Sequence, residues 1–170
     1  MTSPKVLVYH EAGHVVSWLH YGQKIEFVTI DPIKCKETLS NKNERCDGWL
    51  NILAGYTATP FEEAIHLISG CVAEAKSRGC HLNRCVEQGG SEDFEKAEHL
   101  LDCYYNCLTE DLEGFSHGDG ESRFILTGLA INESRYIINK NWSSVEKVAL
   151  ALLKKKTLTH DDVIELMREK

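Results

Sequence analysis

Tyr9-His10-Glu11-Ala12-Gly13-His14 puts two imidazoles and a carboxylate within five residues. On an α-helix His10 and His14 stand one turn apart and face the same way, with Cβ atoms roughly 5–6 Å from each other. One zinc ion can bridge that span. Glu11 lies about 100° round the axis from His10, so it flanks a cation without binding it and can take a proton from a water that the cation activates. This is the physical content of the H-E-x-x-H pattern: two ligands and a general base. Ser3 is a suitable cap and Pro4 suits the first helical position. Val6, Leu7, Val15, Trp18 and Leu19 continue the helical spacing and Gly22 ends it. Ala12 and Gly13 are the small residues needed if another element packs closely over the metal.

Working outward, the 170 residues fit one domain, with 42% hydrophobic and 26% charged residues, as in an ordinary globular protein. The longest apolar runs, such as Val148-Ala149-Leu150-Ala151-Leu152-Leu153, fall far short of the roughly 20 residues that span a bilayer. No basic segment followed by an apolar one opens the chain. A cytoplasmic protein with no membrane partner is therefore expected. A net charge of -7 argues against a nucleic-acid partner, since such binders show a basic face. Lys154-Lys155-Lys156 reads as a solvated helix end favoured by the macrodipole.

Seven cysteines is a high and odd number. In a reducing compartment they are thiols, with Cys71, Cys103 and Cys107 as small core or helix-face residues. Cys80 and Cys85, and the pair Cys35 and Cys46, lack the C-x-x-C spacing of a zinc knuckle. A Cys80–Cys85 disulfide is expected only in an oxidising compartment.

Beyond the first helix, Ile25-Glu26-Phe27-Val28-Thr29-Ile30 alternates and reads as a strand ended by Asp31-Pro32. Residues 33–47 are polar and predict a long, mobile connection. Gly48-Trp49-Leu50-Asn51-Ile52-Leu53 offers a second strand, which can pair with the first beside the metal helix. Its exposed edge could hold an extended peptide. Thr59-Pro60-Phe61-Glu62 is a capping box with proline at the first helical position. It opens a buried helix through Ala64, Ile65, Leu67, Ile68, Cys71, Val72 and Ala75, with a stop at Gly79. A loop with Cys80, His81, Cys85, Gly89 and Gly90 follows. Ser91 opens a third helix, with Asp93 in its first turn and a stripe of Phe94, Ala97, Leu101, Tyr104 and Leu108.

Residues 113–120 have loop chemistry. From Arg123 the spacing is helical through Ile138, breaks at Asn139-Lys140-Asn141, and resumes from Ser143 to Lys155. It restarts after the cap Thr159, with Asp162 three residues on. The expected fold is mainly α (α+β): about six helices in a zincin-like domain over 1–170, with a small hairpin or sheet near the metal site.

Catalytic zinc takes three protein ligands and leaves a position for water. A downstream carboxylate supplies the third; Glu62, Glu63, Glu74, Glu92, Asp93 and Glu95 qualify on chemistry, and spacing does not choose among them. A resemblance does. HEAGH at 10–14, Phe27-Val28-Thr29-Ile30, Ile68-Ser69-Gly70-Cys71-Val72-Ala73-Glu74, Gly90-Ser91-Glu92-Asp93-Phe94-Glu95-Lys96-Ala97 and the tail from Trp142 through Leu158-Thr159 follow one another. In that order they resemble the peptidase domain of the FtsH family of ATP-dependent zinc metalloproteases. The pattern G-x-S-x-D-x-x-x-A carries that family's third zinc ligand, and its aspartate falls on Asp93.

The resemblance implies one catalytic zinc on His10, His14 and Asp93, with Glu11 as base in an endopeptidase. The family has membrane segments and an AAA ATPase ahead of the peptidase. Here nine residues precede His10 and no G-x-x-x-x-G-K-[ST] loop occurs, so an ATP-independent domain is expected. Its substrates would be peptides or unfolded segments, free or delivered by a separate ATPase or adaptor, and a homo-oligomer is left open. The rival reading is a zinc-stabilised peptide-binding or regulatory module without catalysis. His66, His81, His99 and His117 are not ranked as oxyanion helpers.

Overall fold

Pro4–His20 form one helix, α1, whose residues 11–18 are all buried. A helix buried on every side must be enclosed by other elements, and α1 is the central rod of the fold, with Glu11, His14 and Ser17 among its buried residues. In a computed structural model that describes residues 4–38, 48–53, 55–87, 91–109 and 120–168, the chain continues through β1 (Ile25–Thr29), α2 (Pro32–Thr38), β2 (Trp49–Ile52), α3 (Pro60–Arg78), α4 (Leu82–Cys85) and α5 (Ser91–Thr109). It ends with α6 (Gly120–Lys140), α7 (Trp142–Lys155), β3 (Thr157–Thr159) and α8 (His160–Arg168). The architecture is mainly α with a small antiparallel sheet, as the sequence predicts.

α1 packs on α3 along one side and on α7 and α6 along others, while α5 and α6 lie against α3. Val8, Val15, Val16 and Trp18 of α1 join Ile65, Ile68, Leu101, Ile137, Ile138 and Leu152 in one apolar core. The capping box at Thr59 forms: its hydroxyl accepts from Glu62 N and the Glu62 carboxylate accepts from Thr59 N. Gly79 closes α3 in the left-handed region at φ 60°, where a side chain would be strained.

The sheet has the order β2-β1-β3, so β1 is central and both neighbours are antiparallel to it. The β1–β2 pairing is the one the sequence predicts. β3 was not expected, because three residues are too few to show alternation, and its partner lies in β1, far away in the sequence. Lys156 joins α7 to this strand, and its carbonyl accepts from Ile30 N at 2.8 Å and from Thr29 Oγ1 at 3.2 Å. The Thr159–Asp162 cap also forms, Asp162 Oδ2 accepting from Thr159 N at 3.0 Å.

Two expected connections contain helices, which raises the count from about six to eight among the described residues. The segment read as a long connection over 33–47 begins with α2, because Asp31 caps it by accepting from Ile33 N at 3.0 Å and Pro32 presets the first turn. The loop after Gly79 contains α4, whose Leu82 and Cys85 are buried beneath α3. The Ser3 cap, residues 39–47 with Cys46, residues 88–90 with Gly89 and Gly90, and residues 113–119 of the loop expected over 113–120, with His117, lie outside the described residues; Gly120, the last residue of that loop, instead opens α6 ahead of the helix start expected at Arg123. Cys71 is buried as expected, whereas Cys103 and Cys107 are exposed on α5. Among the described residues no helix is long and apolar enough to cross a membrane.

The small pair Ala12-Gly13 predicts close packing, and α3 is the element that makes it. A Cβ on Gly13 would stand 2.5 Å from the Ser69 carbonyl oxygen and 2.7 Å from Ala73 Cβ. Gly13→Ala must therefore push the two helices apart, at an overpacking cost of about 1–3 kcal/mol. The expected outcome is a melting temperature several degrees lower in thermal denaturation of the chelated protein; an unchanged midpoint would show that the interface yields freely.

Candidate metal centre

The close approach of α1 and α3, with α5 beside them, sets three donor atoms together. His10 Nε2 lies 2.9 Å from Asp93 Oδ2 and 3.0 Å from His14 Nε2, and His14 Nε2 lies 3.4 Å from Asp93 Oδ2. Ligand atoms on a tetrahedral zinc stand about 3.3–3.5 Å apart when the bonds are about 2.0–2.2 Å. This triangle has to open by about half an ångström at its shortest side. Two imidazoles and a carboxylate on a triangle of this size can hold a metal ion, and this is the group of that kind found among the described residues.

The floor of the site is glycine. A Cβ on Gly70 of α3 would strike both His14 Nε2 and Cε1 and come within 3.0 Å of His10 Nε2. No larger residue could occupy that position with both rings in place.

Each ring is held through its other nitrogen, as metal-binding histidines are. His14 Nδ1 donates to the His66 carbonyl at 2.9 Å. His10 Nδ1 faces Glu74 Oε2 at 3.4 Å, and Glu74 also accepts from Arg78 Nη1. Glu74, one of the carboxylates that spacing left open as third ligand, is thus an orienting partner of His10. Of the others, Glu62 caps α3 and Glu92 pairs with Lys96 on the surface of α5 at 2.8 Å. Glu63 and Glu95 stand outside the donor group.

Glu11 is buried and directly adjoins the donor triangle. Burial raises its pKa, against the pull of His14 and His10. Its carboxylate lies against Gly48, just ahead of β2; a Cβ there would overlap Glu11 Oε1 and stand 2.7 Å from its Cδ. His66 is also buried, with its ring 5.0 Å from that of His14 and 4.7 Å from that of Trp18. Burial and then the nearby His14 hold its pKa well below the usual imidazole value, and its Nδ1 donates to the His14 carbonyl at 3.0 Å. It is a neutral buckle between α1 and α3. His81 precedes α4 on the surface, and His99 lies on α5 beside Cys103.

Sequence reasoning missed Gly48, Gly70, Arg78 and the His66 carbonyl. Gly70 carried a signal of a kind, since Ser69-Gly70 and Ala73 are small residues in a helix predicted to be buried. Arg78 carried one too, as the residue four positions after Glu74 on the same helix, whereas Gly48 and the His66 carbonyl act only through contacts between distant segments.

The fold and the site together define a mainly helical protein with a partly buried His-His-Asp group able to hold a metal ion. No family model and no curated protein matches the chain.

In the chelated protein the charges of these donors settle on one another. Burial opposes a charge on His10, but Asp93, Glu74 and Glu11 outweigh it and lift its pKa from 6.5 to about 10. Burial likewise opposes a charge on Asp93, yet the two histidines hold its carboxyl far below the usual range. The His10–Asp93 pair therefore supports the chelated fold fully between the unfolded carboxyl value of 3.8 and the unfolded imidazole value of 6.5, and that support fades as the pH rises through about 10 or falls below 3.8. A metal entering at neutral pH must displace the His10 proton. Calorimetry of zinc binding at pH 7 in buffers of different ionisation enthalpy should show about one proton released per ion, with affinity rising about tenfold per pH unit up to pH ~9. Heats that do not depend on the buffer would contradict this proton count.

Proposed function

We propose that this chain is a zinc-dependent endopeptidase acting on peptides or unfolded segments, with His10, His14 and Asp93 as metal ligands and Glu11 as general base. The observation that carries the reading is the buried Glu11 carboxylate beside the donor triangle and beneath the start of β2. A purely structural metal site has no use for a base there. The ordered resemblance of HEAGH and the Asp93 segment to FtsH-family peptidases supports the same conclusion.

Zinc, when bound, supplies the Lewis acidity that acidifies a water and polarises a carbonyl. Glu11 takes the water's proton and returns it to the leaving amine. Asp93 supplies the anionic charge of the donor triangle. Glu74 keeps His10 turned towards it. β2 lies at one edge of the sheet among the described residues, so an extended peptide can pair along it by main-chain hydrogen bonds. Such a peptide would run past Gly48 and bring a carbonyl towards Glu11. Unfolding a folded substrate would need an ATPase activity, and these 170 residues hold no ATP-binding loop to supply it.

A quenched, unstructured substrate tests the reading directly. Glu11→Gln should retain stoichiometric zinc and the wild-type melting temperature while losing at least about 100-fold in turnover. Asp93→Asn should lose zinc at concentrations that saturate the wild type. Turnover untouched by Glu11→Gln, or by chelator, would leave the peptide-binding module as the better reading.

Gly48→Ala should act on turnover alone. The added methyl displaces the Glu11 carboxylate without touching a ligand, so zinc content holds while kcat falls about 10–100-fold. Equal kcat in the two proteins would detach Gly48 from the site.

A further inference from the structure

Beyond Glu74, the hydrogen bonds continue away from the metal centre to a pair of cysteines. Arg78, one turn further along α3, donates to Glu74 and directs the same Nη1 at Cys85 Sγ, 3.8 Å away. Cys85 Sγ is 3.4 Å from Cys80 Sγ. Cys80 is half-buried just past Gly79, and Cys85 is fully buried on α4. The two thiols are thus in contact, one reachable from solvent and one beneath it, at the end of a relay Cys85–Arg78–Glu74–His10.

We propose that Cys80 and Cys85 form a reversible disulfide under peroxide, and that this oxidation alters the hold of Glu74 on His10 through Arg78. The disulfide itself does not depend on the peptidase reading. Its consequence for zinc rests on the metal-ligand assignment.

The chemistry balances with hydrogen peroxide as oxidant. The Cys80 sulfur attacks one peroxide oxygen and the O–O bond breaks. The first water leaves, and Cys80 becomes a sulfenic acid. Cys85 sulfur then displaces the hydroxyl from Cys80 sulfur, and the departing hydroxyl leaves with the Cys85 proton as the second water. Two electrons pass from the thiols to the peroxide, and a dithiol reductant restores the pair by exchange. The order of attack follows from the environments. Burial, together with the Cys80 thiol beside it, pushes Cys85 up to about 12, so the more accessible Cys80 reacts first. The Arg78 guanidinium next to Cys85 favours its thiolate in the second step.

Closing the bond brings the sulfurs from 3.4 Å to about 2.0 Å. That movement pulls on the turn after Gly79, and the disulfide replaces the ionisable Cys85 thiol that Arg78 faces with a sulfur that can carry no charge. Arg78 is also tied to Glu74, which in turn faces His10 Nδ1 at 3.4 Å. Removing an outer partner of a ligating histidine weakens metal affinity by about 10–100-fold, and a displaced partner should cost about tenfold.

The experiment treats the full chain with stoichiometric hydrogen peroxide and reads three quantities. Intact and peptide mass spectrometry should show the loss of two hydrogens, with Cys80 joined to Cys85, in the wild type and not in Cys80→Ser or Cys85→Ser. In the chelated protein, the His10 imidazole signals in a carbon–proton NMR spectrum should move on oxidation and return with dithiol. Competition against a chromogenic chelator should give about tenfold weaker zinc binding in the oxidised wild type. Arg78→Lys should still form the disulfide but lose most of the His10 response. No Cys80–Cys85 linkage under these conditions would overturn the site. A disulfide that leaves both the His10 signals and zinc affinity unchanged would overturn the coupling. Failure of the peptidase assay alone would touch neither result.

Discussion

The approach of α1 to α3 is the constraint on which the rest of the structure depends. Gly13 lies so close to Ser69 and Ala73 that a methyl group would not fit, and Gly70 lies against both histidine rings, closer to that of His14. Small residues at these positions allow the backbones to meet, and the meeting brings the carbonyl of His66 to His14 and the carboxylate of Glu74 to His10. The same contact buries the apolar faces of both helices in the core. Stability and site geometry therefore share one interface. A substitution that relaxes the packing also loosens the rings.

Around that interface the buried polar groups are arranged in pairs. Burying a lone charge is costly, and here carboxylates and imidazoles offset one another: His10 with Asp93 and Glu74, and Glu74 with Arg78. Glu11 is the exception. Among the described residues no ion-pair partner stands beside it, and burial raises its pKa against the influence of both histidines. A carboxylate kept under that tension is suited to take up and give back a proton. The Arg78 contact also carries the network past the metal centre to the Cys80–Cys85 pair, so the environment of His10 extends to thiol chemistry at the end of α3.

Much of this was legible in local sequence. The capping box at Thr59, the stop at Gly79, the break before Trp142 and the cap at Thr159 depend on neighbouring residues alone, and all appear where the residue types demand. Alternation in Ile25–Ile30 identified β1 for the same reason. The elements that were missed are short ones: α2 and α4 have too few residues to display a period, and β3 exists through its pairing with β1. Among the carboxylates, local chemistry left six candidates for a third ligand, and the resemblance to a peptidase family singled out Asp93 before any distance was known.

The amino-acid sequence by itself determined that His10, Glu11 and His14 would share a helix, since a spacing of four is a property of the helical period and needs no partner. It also determined the mainly helical class, through apolar stripes and caps. Tertiary structure alone decided which carboxylate meets the histidines, because Asp93 is 79 residues from His14 along the chain and next to it only when α5 lies on α3. It likewise decided that Glu74 orients a ring and that Gly48 makes room for Glu11. Those roles arise from the close packing of separate segments, and a linear pattern holds no record of distance across a core.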